Sequence, residues 1–210
     1  MPAHYGREVV RSTARRALAG LALIIAVTLG AGAATSWRGT TFIAIECSAI
    51  AAMFLIDRVV MPRLDRRERG NNAEIKVGGI LESLRGAGWR VLHDVDTGRG
   101  NIDHVLVGPA GLLTVETKSR RGRVSTTSLN PAWLSQAYAQ RKWLENVTGQ
   151  PVDSLLVFSD AWLDRMVSRK RGVCVLPARA LPGHLGRRPQ RLAPGEVDAL
   201  YDRLARALAA

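Results

Sequence analysis

The chain has 210 residues and a formal net charge of +12, from 30 Lys and Arg against 18 Asp and Glu. A surplus of this size favours an anionic partner, either nucleic acid or an anionic lipid surface. The two cysteines, Cys47 and Cys174, stand far apart in the sequence, which argues against a disulfide framework or a zinc site and predicts two free thiols.

The N-terminal part of the chain has the pattern of a membrane hairpin. A basic segment, 1–16, precedes an apolar run without charges at 17–35, and a second apolar run follows at 41–56. A helix of the first run's length covers about 28 Å, close to the hydrocarbon core of a bilayer. Arginines flank both outer ends, which predicts a two-span transmembrane hairpin over 17–61 in the cell membrane, with both termini in the cytoplasm.

A cleaved signal peptide is the alternative for the first run, and the second apolar run argues against it. Small residues recur at a spacing of four in both runs, which lets two helices approach closely in lipid. Glu46 lies inside the second run. It could contact another subunit, or it could be a protonated or snorkelling glutamate near the interface. These features leave open a homo-oligomer formed through the transmembrane helices.

A basic linker is predicted at 62–72, where arginines could contact anionic lipid. From Ala73 onward the chain carries 20 Lys or Arg against 13 Asp or Glu. The positive charge is therefore not confined to the arginines that flank the apolar runs and indicate membrane topology. The predicted elements follow in the order α-β-β-β-α-β, which indicates an α/β sandwich around a mixed sheet. They are a helix at 73–85, strands at 89–95, 101–107 and 112–118, a basic turn at 119–123, a short strand around Val124, a helix at 131–147, strands at 155–158 and 173–176, and a helix after Pro194.

The segment from Gly100 to Lys118 reads as a β-hairpin with polar residues where apolar ones would be expected. Asp103 lies on one arm, and Glu116 and Lys118 lie on the other. Side chains alternate between the two faces of a strand, so Glu116 and Lys118 share a face and Thr117 points to the other. The hairpin therefore predicts two carboxylates and a lysine close together.

Hydrolysis of a phosphodiester needs a divalent cation that stabilises charge on the phosphate and generates hydroxide near neutral pH. Mg²⁺ prefers a few carboxylate oxygens and several retained waters. Asp103, Glu116 and the backbone carbonyl of Thr117 could supply those oxygens, with Mn²⁺ as an alternative ion. Lys118 could orient the attacking water or stabilise negative charge. The competing interpretation is a cross-strand surface pair without chemistry.

Two flanking residues make the catalytic interpretation stronger. Glu74 stands at the start of the preceding helix and Gln136 in the following one. The runs AEIKVGGILESL at 73–84 and GNIDHVLVGPAGLLTVETKS at 100–119, with SLLVFSDA at 154–161, resemble the NERD, or nuclease-related, domain of the PD-(D/E)xK nuclease superfamily.

The resemblance implies a restriction-endonuclease-like αβββαβ core within a domain at 73–210. It implies that Glu74 is the family's helix glutamate, Asp103 its metal-binding aspartate, Glu116 and Lys118 its E-x-K pair, and Gln136 the glutamine beside the site. Ile102 stands where the superfamily motif often has proline. All five positions carry the expected residue types, which predicts an intact catalytic site.

Other polar and aromatic residues near the hairpin are less specific. Arg120, Arg121 and Arg123 follow Lys118 and could contact a phosphate backbone, or could form a solvated turn. His104 is predicted to be structural or hydrogen-bonded on the face opposite Asp103. Core packing is predicted for Trp133 and Trp143, with base stacking as the alternative.

The sequence thus predicts a membrane-anchored, Mg²⁺-dependent nuclease that acts on nucleic acid, with DNA favoured, at the cytoplasmic face of the membrane. One alternative is a module without catalysis that binds nucleic acid or a protein and is tethered to the membrane. Another is a membrane protein whose main functional part is the hairpin, which would form oligomers.

Overall fold

The computed structural model of the chain describes residues 19, 20, 23, 26, 27, 30 and 39–209. The chain divides into two compact units, residues 1–71 and 72–210. Segment 1–16 and most of the predicted first span at 17–35 lie outside the described residues, as does the side chain of Glu46.

The first unit contains helix α1, Gly39–Leu55, followed by a π-helical turn, Ile56–Val60. A membrane span needs about 20 apolar residues, whereas α1 has 17 and the turn after it carries Asp57 and Arg58. Within the described part of the chain, no helix combines the length and the apolarity that a bilayer span requires. The predicted location as a two-span protein of the cell membrane with cytoplasmic termini is therefore wrong. The homo-oligomer predicted through those spans has no support in the described residues.

Helix α2 covers Met61–Glu82 and is followed by a 3-10 turn, Ser83–Ala87. It includes residues 62–72, where the sequence suggests a linker. Arginine, glutamate and leucine are strong helix formers, so the charged segment extends the helix toward the N-terminus. Arg66 Nε adds a hydrogen bond of 3.0 Å to the carbonyl of Pro62, one turn earlier.

Six strands form the sheet of the second unit, in the spatial order β1-β2-β3-β4-β6-β5. The β1–β2, β2–β3 and β5–β6 pairs are antiparallel, and the β3–β4 and β4–β6 pairs are parallel. The strands are β1 Arg90–Asp96, β2 Asn101–Gly108, β3 Gly111–Val124, β4 Val152–Leu163, β5 Ser168–Lys170 and β6 Val173–Pro177. The predicted mixed sheet is confirmed.

Helices cover both faces of this sheet. They are α3 Pro131–Thr148, α4 Leu181–Gly186 and α5 Pro194–Ala209, together with the C-terminal part of α2. Residues of α2 and α4 share one buried apolar cluster with the sheet, and residues of α3 and α5 pack in clusters with the other face. The order α2-β1-β2-β3-α3-β4 matches the predicted α-β-β-β-α-β order. After β4 come β5, β6, a 3-10 turn, α4 and the last helix, α5.

Strand β3 is longer than the sequence indicates. The stretch from Ser119 to Arg123, predicted as a turn, continues the strand to Val124. The register with β4 changes between Lys118, opposite Phe158, and Arg121, opposite Asp160. Over this interval β3 has one residue more than β4, which is a β-bulge in β3. The bulge lets a strand that is buried up to Thr117 continue as an exposed, basic one.

His104 and His93 hold α2 against the sheet. The Nδ1 atoms of the two rings lie 2.9 Å apart, and His93 Nε2 lies 2.8 Å from Glu82 Oε1. The Glu82 carboxylate accepts from His93 Nε2, and the two Nδ1 atoms share one hydrogen bond between the rings. Burial, followed by the neighbouring His93, lowers the pKa of His104 to about 3. The structural role predicted for His104 is confirmed.

Gly78 of α2 is the residue under which the two rings fit. A Cβ at Gly78 would lie 3.3 Å from Cε1 of both His93 and His104, whereas one at the neighbouring Gly79 would meet nothing within 4 Å. The helix thus approaches the sheet closely at one glycine and exposes the next.

This adjacent pair gives a matched test of the packing. We expect Gly79→Ala to raise the free energy of unfolding by up to about 1 kcal/mol through helix propensity. Gly78→Ala should instead lower the free energy of unfolding by about 1 kcal/mol relative to wild type, because the added methyl group crowds both rings and their hydrogen bonds keep them from moving aside. Urea unfolding at pH 7.5 measures both values. Equal stabilisation by the two substitutions would contradict the described contact.

Candidate functional site

The candidate site lies where β2 and β3 stop pairing. Their register runs from Gly108 opposite Gly111 to His104 opposite Val115, and the next residues along each strand are Asp103 and Glu116. At this point the backbone N–H of Thr117 donates to Asp103 Oδ2 over 2.6 Å. The carboxylate of Asp103 therefore bonds a backbone donor of β3 at the end of the strand pairing.

Glu116 and Lys118 form an ion pair beside Asp103. Lys118 Nζ lies 2.6 Å from Glu116 Oε1, and the side chains are 20% and 3% exposed. Both project from the same face of β3, because they are two residues apart on a strand. A buried carboxylate is stable only with a charged partner and further hydrogen bonds.

Helix α3 binds both members of this ion pair through two glutamines. Gln136 Oε1 accepts from Lys118 Nζ at 3.0 Å. Gln140 Nε2 donates to Glu116 Oε2 at 2.5 Å and to the backbone carbonyl of Asn101 at 3.1 Å. Both oxygens of Glu116 are thus bound, one by β3 and one by α3.

Gln140 is buried, and our reading of the sequence missed it. It stands four residues after Gln136, and residues at this spacing lie on the same helix face. That spacing is the signal that could have identified it. Asn130 caps the helix by accepting from the backbone N–H of Ala132, and Pro131 occupies the first turn, so the start of α3 is fixed by its own sequence.

Glu74 belongs to the same electrostatic environment. Burial raises its pKa, and so do the charges of Asp94 and Glu116, against the opposing effect of Lys118. For Asp103, burial is again the main cause, followed by the charges of Glu116 and Glu74, and its pKa is raised well above the usual value. Burial and the neighbouring carboxylates therefore both favour the protonated form of Glu74 and of Asp103.

Asp94 is a fourth carboxyl group that sequence reasoning did not identify. It lies in β1 with a φ of 53°, a left-handed conformation that few residues other than glycine adopt. Its carboxylate accepts a hydrogen bond from the side-chain amide of Asn101. The strand pattern alone gives no sign of this departure from extended geometry.

The donor set fits a hard divalent cation. Asp103, Glu116 and the Thr117 carbonyl offer only oxygen. Burial, followed by the charges of neighbouring carboxylates, raises the pKa of Asp103 and of Glu74. Among the described residues no three His, Cys, Asp or Glu side chains are arranged to hold an ion. Mg²⁺ binds through one or two carboxylates and several waters, so a site with two carboxylates meets its requirement.

The three arginines after Lys118 lie on the exposed part of β3 and line a cleft of about 360 Å³ with Ser128, Asn130 and Trp133. The guanidinium carbon of Arg120 lies 5.2 Å from the ring centre of Trp133. The Trp133 ring also packs edge-to-face against buried Phe158, with the ring centres 5.8 Å apart. The role of Arg120, Arg121 and Arg123 as nucleic-acid contacts stays a prediction.

Comparison with known proteins agrees with the domain recognised from the residues. The family model described as NERD, nuclease-related domain, matches residues 69–159. This range contains Glu74, Asp103, Glu116, Lys118 and both glutamines. The resemblance to the nuclease-related domain is therefore confirmed over this range.

No curated protein matches the chain. Among solved structures, the chain is similar to a repair endonuclease from Pyrococcus abyssi, with 20% sequence identity and a TM-score of 0.32. The likeness covers 58% of this chain and 47% of the endonuclease chain, so this chain spans about half the length of that one. At this distance the likeness carries no argument about fold or activity.

We expect Asp103→Asn to raise the melting temperature at pH 7, in chelator, by about 2–5 °C. A carboxyl group with a raised pKa binds more protons in the folded state, so stability falls as pH rises from the unfolded pKa through the folded one. Asparagine keeps an oxygen for the Thr117 N–H and never ionises. Calorimetry at pH 7 and pH 4 measures the effect, which should shrink at pH 4. An equal gain at both values would contradict it.

Gln140→Leu is expected to lower the free energy of unfolding by about 1–3 kcal/mol, because buried Glu116 then loses a donor. The matched control is Gln136→Leu, which changes an exposed glutamine on the same helix and should have a smaller effect. Urea unfolding of both variants at pH 7.5 measures the difference. If the Gln136 variant loses as much as the Gln140 variant, Gln140 is not the main support of Glu116.

Proposed function

We propose that the chain is a metal-dependent nuclease of the PD-(D/E)xK type that hydrolyses phosphodiester bonds of DNA. The observation that carries the proposal is the position of Lys118 Nζ, 2.6 Å from Glu116 Oε1 and 3.0 Å from Gln136 Oε1, beside Asp103. An ordinary surface pair would be solvated, whereas Glu116 is 3% exposed and its second oxygen is bound by a buried glutamine. Such an arrangement suits chemistry at a defined position.

Asp103, Glu116 and the backbone carbonyl of Thr117 would hold the cation, Mg²⁺ or Mn²⁺. When bound, the ion supplies positive charge against the phosphate and lowers the pKa of water. The backbone N–H of Thr117 orients Asp103, and the side-chain amide of Gln140 orients Glu116. These bonds fix the direction of both carboxylates before any ligand binds, which lowers the cost of arranging the site.

Lys118 is the group that would contact the reacting atoms. Glu116 and Gln136 take two of the three directions in which its ammonium group donates. The third direction can orient a water molecule or stabilise negative charge on the phosphate. Glu74, whose pKa is raised by burial, holds its proton to a higher pH than an exposed glutamate, which suits proton exchange beside the site.

A cleavage assay on the full chain tests this proposal. Wild type with Mg²⁺ should cut DNA, and EDTA should abolish the cleavage. Lys118→Ala should reduce the rate by about 10²-fold or more, because a positioned donor at the phosphate is lost. Lys142→Ala, at an exposed lysine of α3 that pairs with Glu145, is the matched control and should cut like wild type.

The assay should cover single- and double-stranded DNA and RNA, with Mg²⁺ and Mn²⁺ titrated separately. If wild type and Lys118→Ala behave alike on every substrate, the catalytic proposal fails. A binding module without catalysis predicts a different pattern, in which DNA binds with strong salt dependence, Asp103→Asn changes nothing and no strand is cut.

A further inference from the structure

Trp162 of β4 is an aromatic side chain that the proposed nuclease chemistry does not use. It is 65% exposed, although its strand neighbours Ala161 and Leu163 are 2% and 9% exposed. An indole ring is among the most costly side chains to leave in water. Its exposure on a strand of the central sheet therefore points to a ligand with an aromatic or apolar face.

Arginines flank the indole on both sides. The guanidinium carbon of Arg179, in the turn after β6, lies 4.3 Å from the ring centre of Trp162. Arg123 of β3 is opposite Trp162 in the parallel register. Because β4 lies between β3 and β6, the sheet places the aromatic ring in a row between two cationic side chains.

The positive charge of this surface is available to a ligand. Within the described residues, none of the ion pairs includes Arg121, Arg123 or Arg179. Of the nearby carboxylates, Asp160 pairs with Lys76, with Oδ1 2.5 Å from Nζ, and also interacts with the charge of Arg121 opposite it on β3. Asp164 accepts from the N–H of Thr126 at 2.9 Å. The surface therefore complements an anion.

A cleft of about 730 Å³ adjoins the indole and is lined by Gly122, Arg123, Val124, Ser125, Trp162, Leu163 and Asp164. This volume lies within the range of sites for small organic ligands and accommodates a nucleotide. The cleft has Trp162 and Arg123 in its lining, together with Asp164, and Arg179 lies against the indole. An aromatic face beside arginines is the combination that binds bases and phosphates of single strands.

Strand β3 runs from the candidate catalytic site to this cleft. Arg121 and Arg123 lie three and five residues beyond Lys118, about 10 Å and about 17 Å away in extended chain. On β4, Asp160 precedes Trp162 by two residues and is joined to Lys76, which stands two residues after Glu74 on α2. A strand bound at Lys118 can therefore reach the indole over a basic path.

We propose that Trp162 and Arg179 form a stacking site for an unpaired base, on a nucleic-acid strand whose phosphates pass over Arg121 and Arg123 toward Lys118. The placement of the strand rests on the proposed nuclease function. In a duplex each base face is covered by its neighbours, so a base can stack on Trp162 only when it is unpaired. The substrate class is consequently nucleic acid with a single-stranded segment beside the cleaved bond.

The test compares two ligands with the same phosphates. Full-length protein in EDTA, which prevents metal-dependent cleavage, is titrated with a thymidine oligonucleotide and with an abasic oligonucleotide of equal length. Wild type should bind the thymidine strand more tightly. Trp162→Leu should weaken that binding by roughly tenfold and leave the abasic strand unchanged, since only stacking is lost. Trp162→Phe should retain most of the affinity.

Tyr138→Leu is the matched control, because Tyr138 is an exposed aromatic residue of α3 with Lys142 Nζ 5.9 Å from its ring centre. It should bind both strands like wild type. Tryptophan fluorescence gives a second readout, since the thymidine strand should quench wild type more than Trp162→Phe. Circular dichroism melting of each variant checks folding. If Trp162→Leu does not fold, the affinities of Trp162→Phe and Arg179→Gln for the two strands are compared in its place.

Three results would overturn the proposal. They are an unchanged affinity of Trp162→Leu for the thymidine strand, an equal loss on both strands, and an equal Trp162-dependent affinity for a polyglutamate peptide, which would indicate a protein partner. Failure of the nuclease proposal is separate. If the base preference depends on Trp162 but no substrate is cut, the stacking proposal is supported and the nuclease proposal is contradicted. If Lys118→Ala abolishes cleavage and keeps the base preference, both proposals are supported.

Discussion

Burial of the Glu116 carboxylate is the constraint on which the candidate site depends. A charge at 3% exposure must be compensated where it lies, and Lys118 and Gln140 do this from two different elements. The requirement ties α3 to the sheet at a fixed height and a fixed rotation. The same bonds hold Gln136 and Lys118 in place, so the geometry proposed for catalysis follows from the way one buried charge is satisfied.

The sheet places this charge at the point where its own pairing is irregular. β2 and β3 end their regular register beside Asp103, Asp94 has a positive φ, and β3 has a bulge after Lys118. Each irregularity makes room for polar groups that a continuous ladder would cover. On the opposite side, the His93–His104 pair under Gly78 keeps the α2 helix close to the sheet.

Much of this arrangement could be predicted from the sequence. Alternation along a strand places Glu116 and Lys118 on one face, and the turn at Gly108–Gly111 sets Asp103 opposite them. Gln140 was missed because helical spacing gives the face of a helix but not how deep each residue lies. The bulge was missed because exposed, basic strand residues resemble a turn. The prediction of a membrane hairpin was wrong because, within the described residues, no apolar run forms a helix long enough to cross a bilayer.

The extra residue in β3 has a consequence for how this protein can vary. Up to Lys118 the strand is fixed by burial, whereas beyond the bulge its side chains meet solvent. A substitution among the distal arginines changes the outer surface without disturbing the packing behind it. Divergent descendants could therefore acquire new ligand preferences while inheriting the same reaction centre, provided that the single-residue offset is preserved.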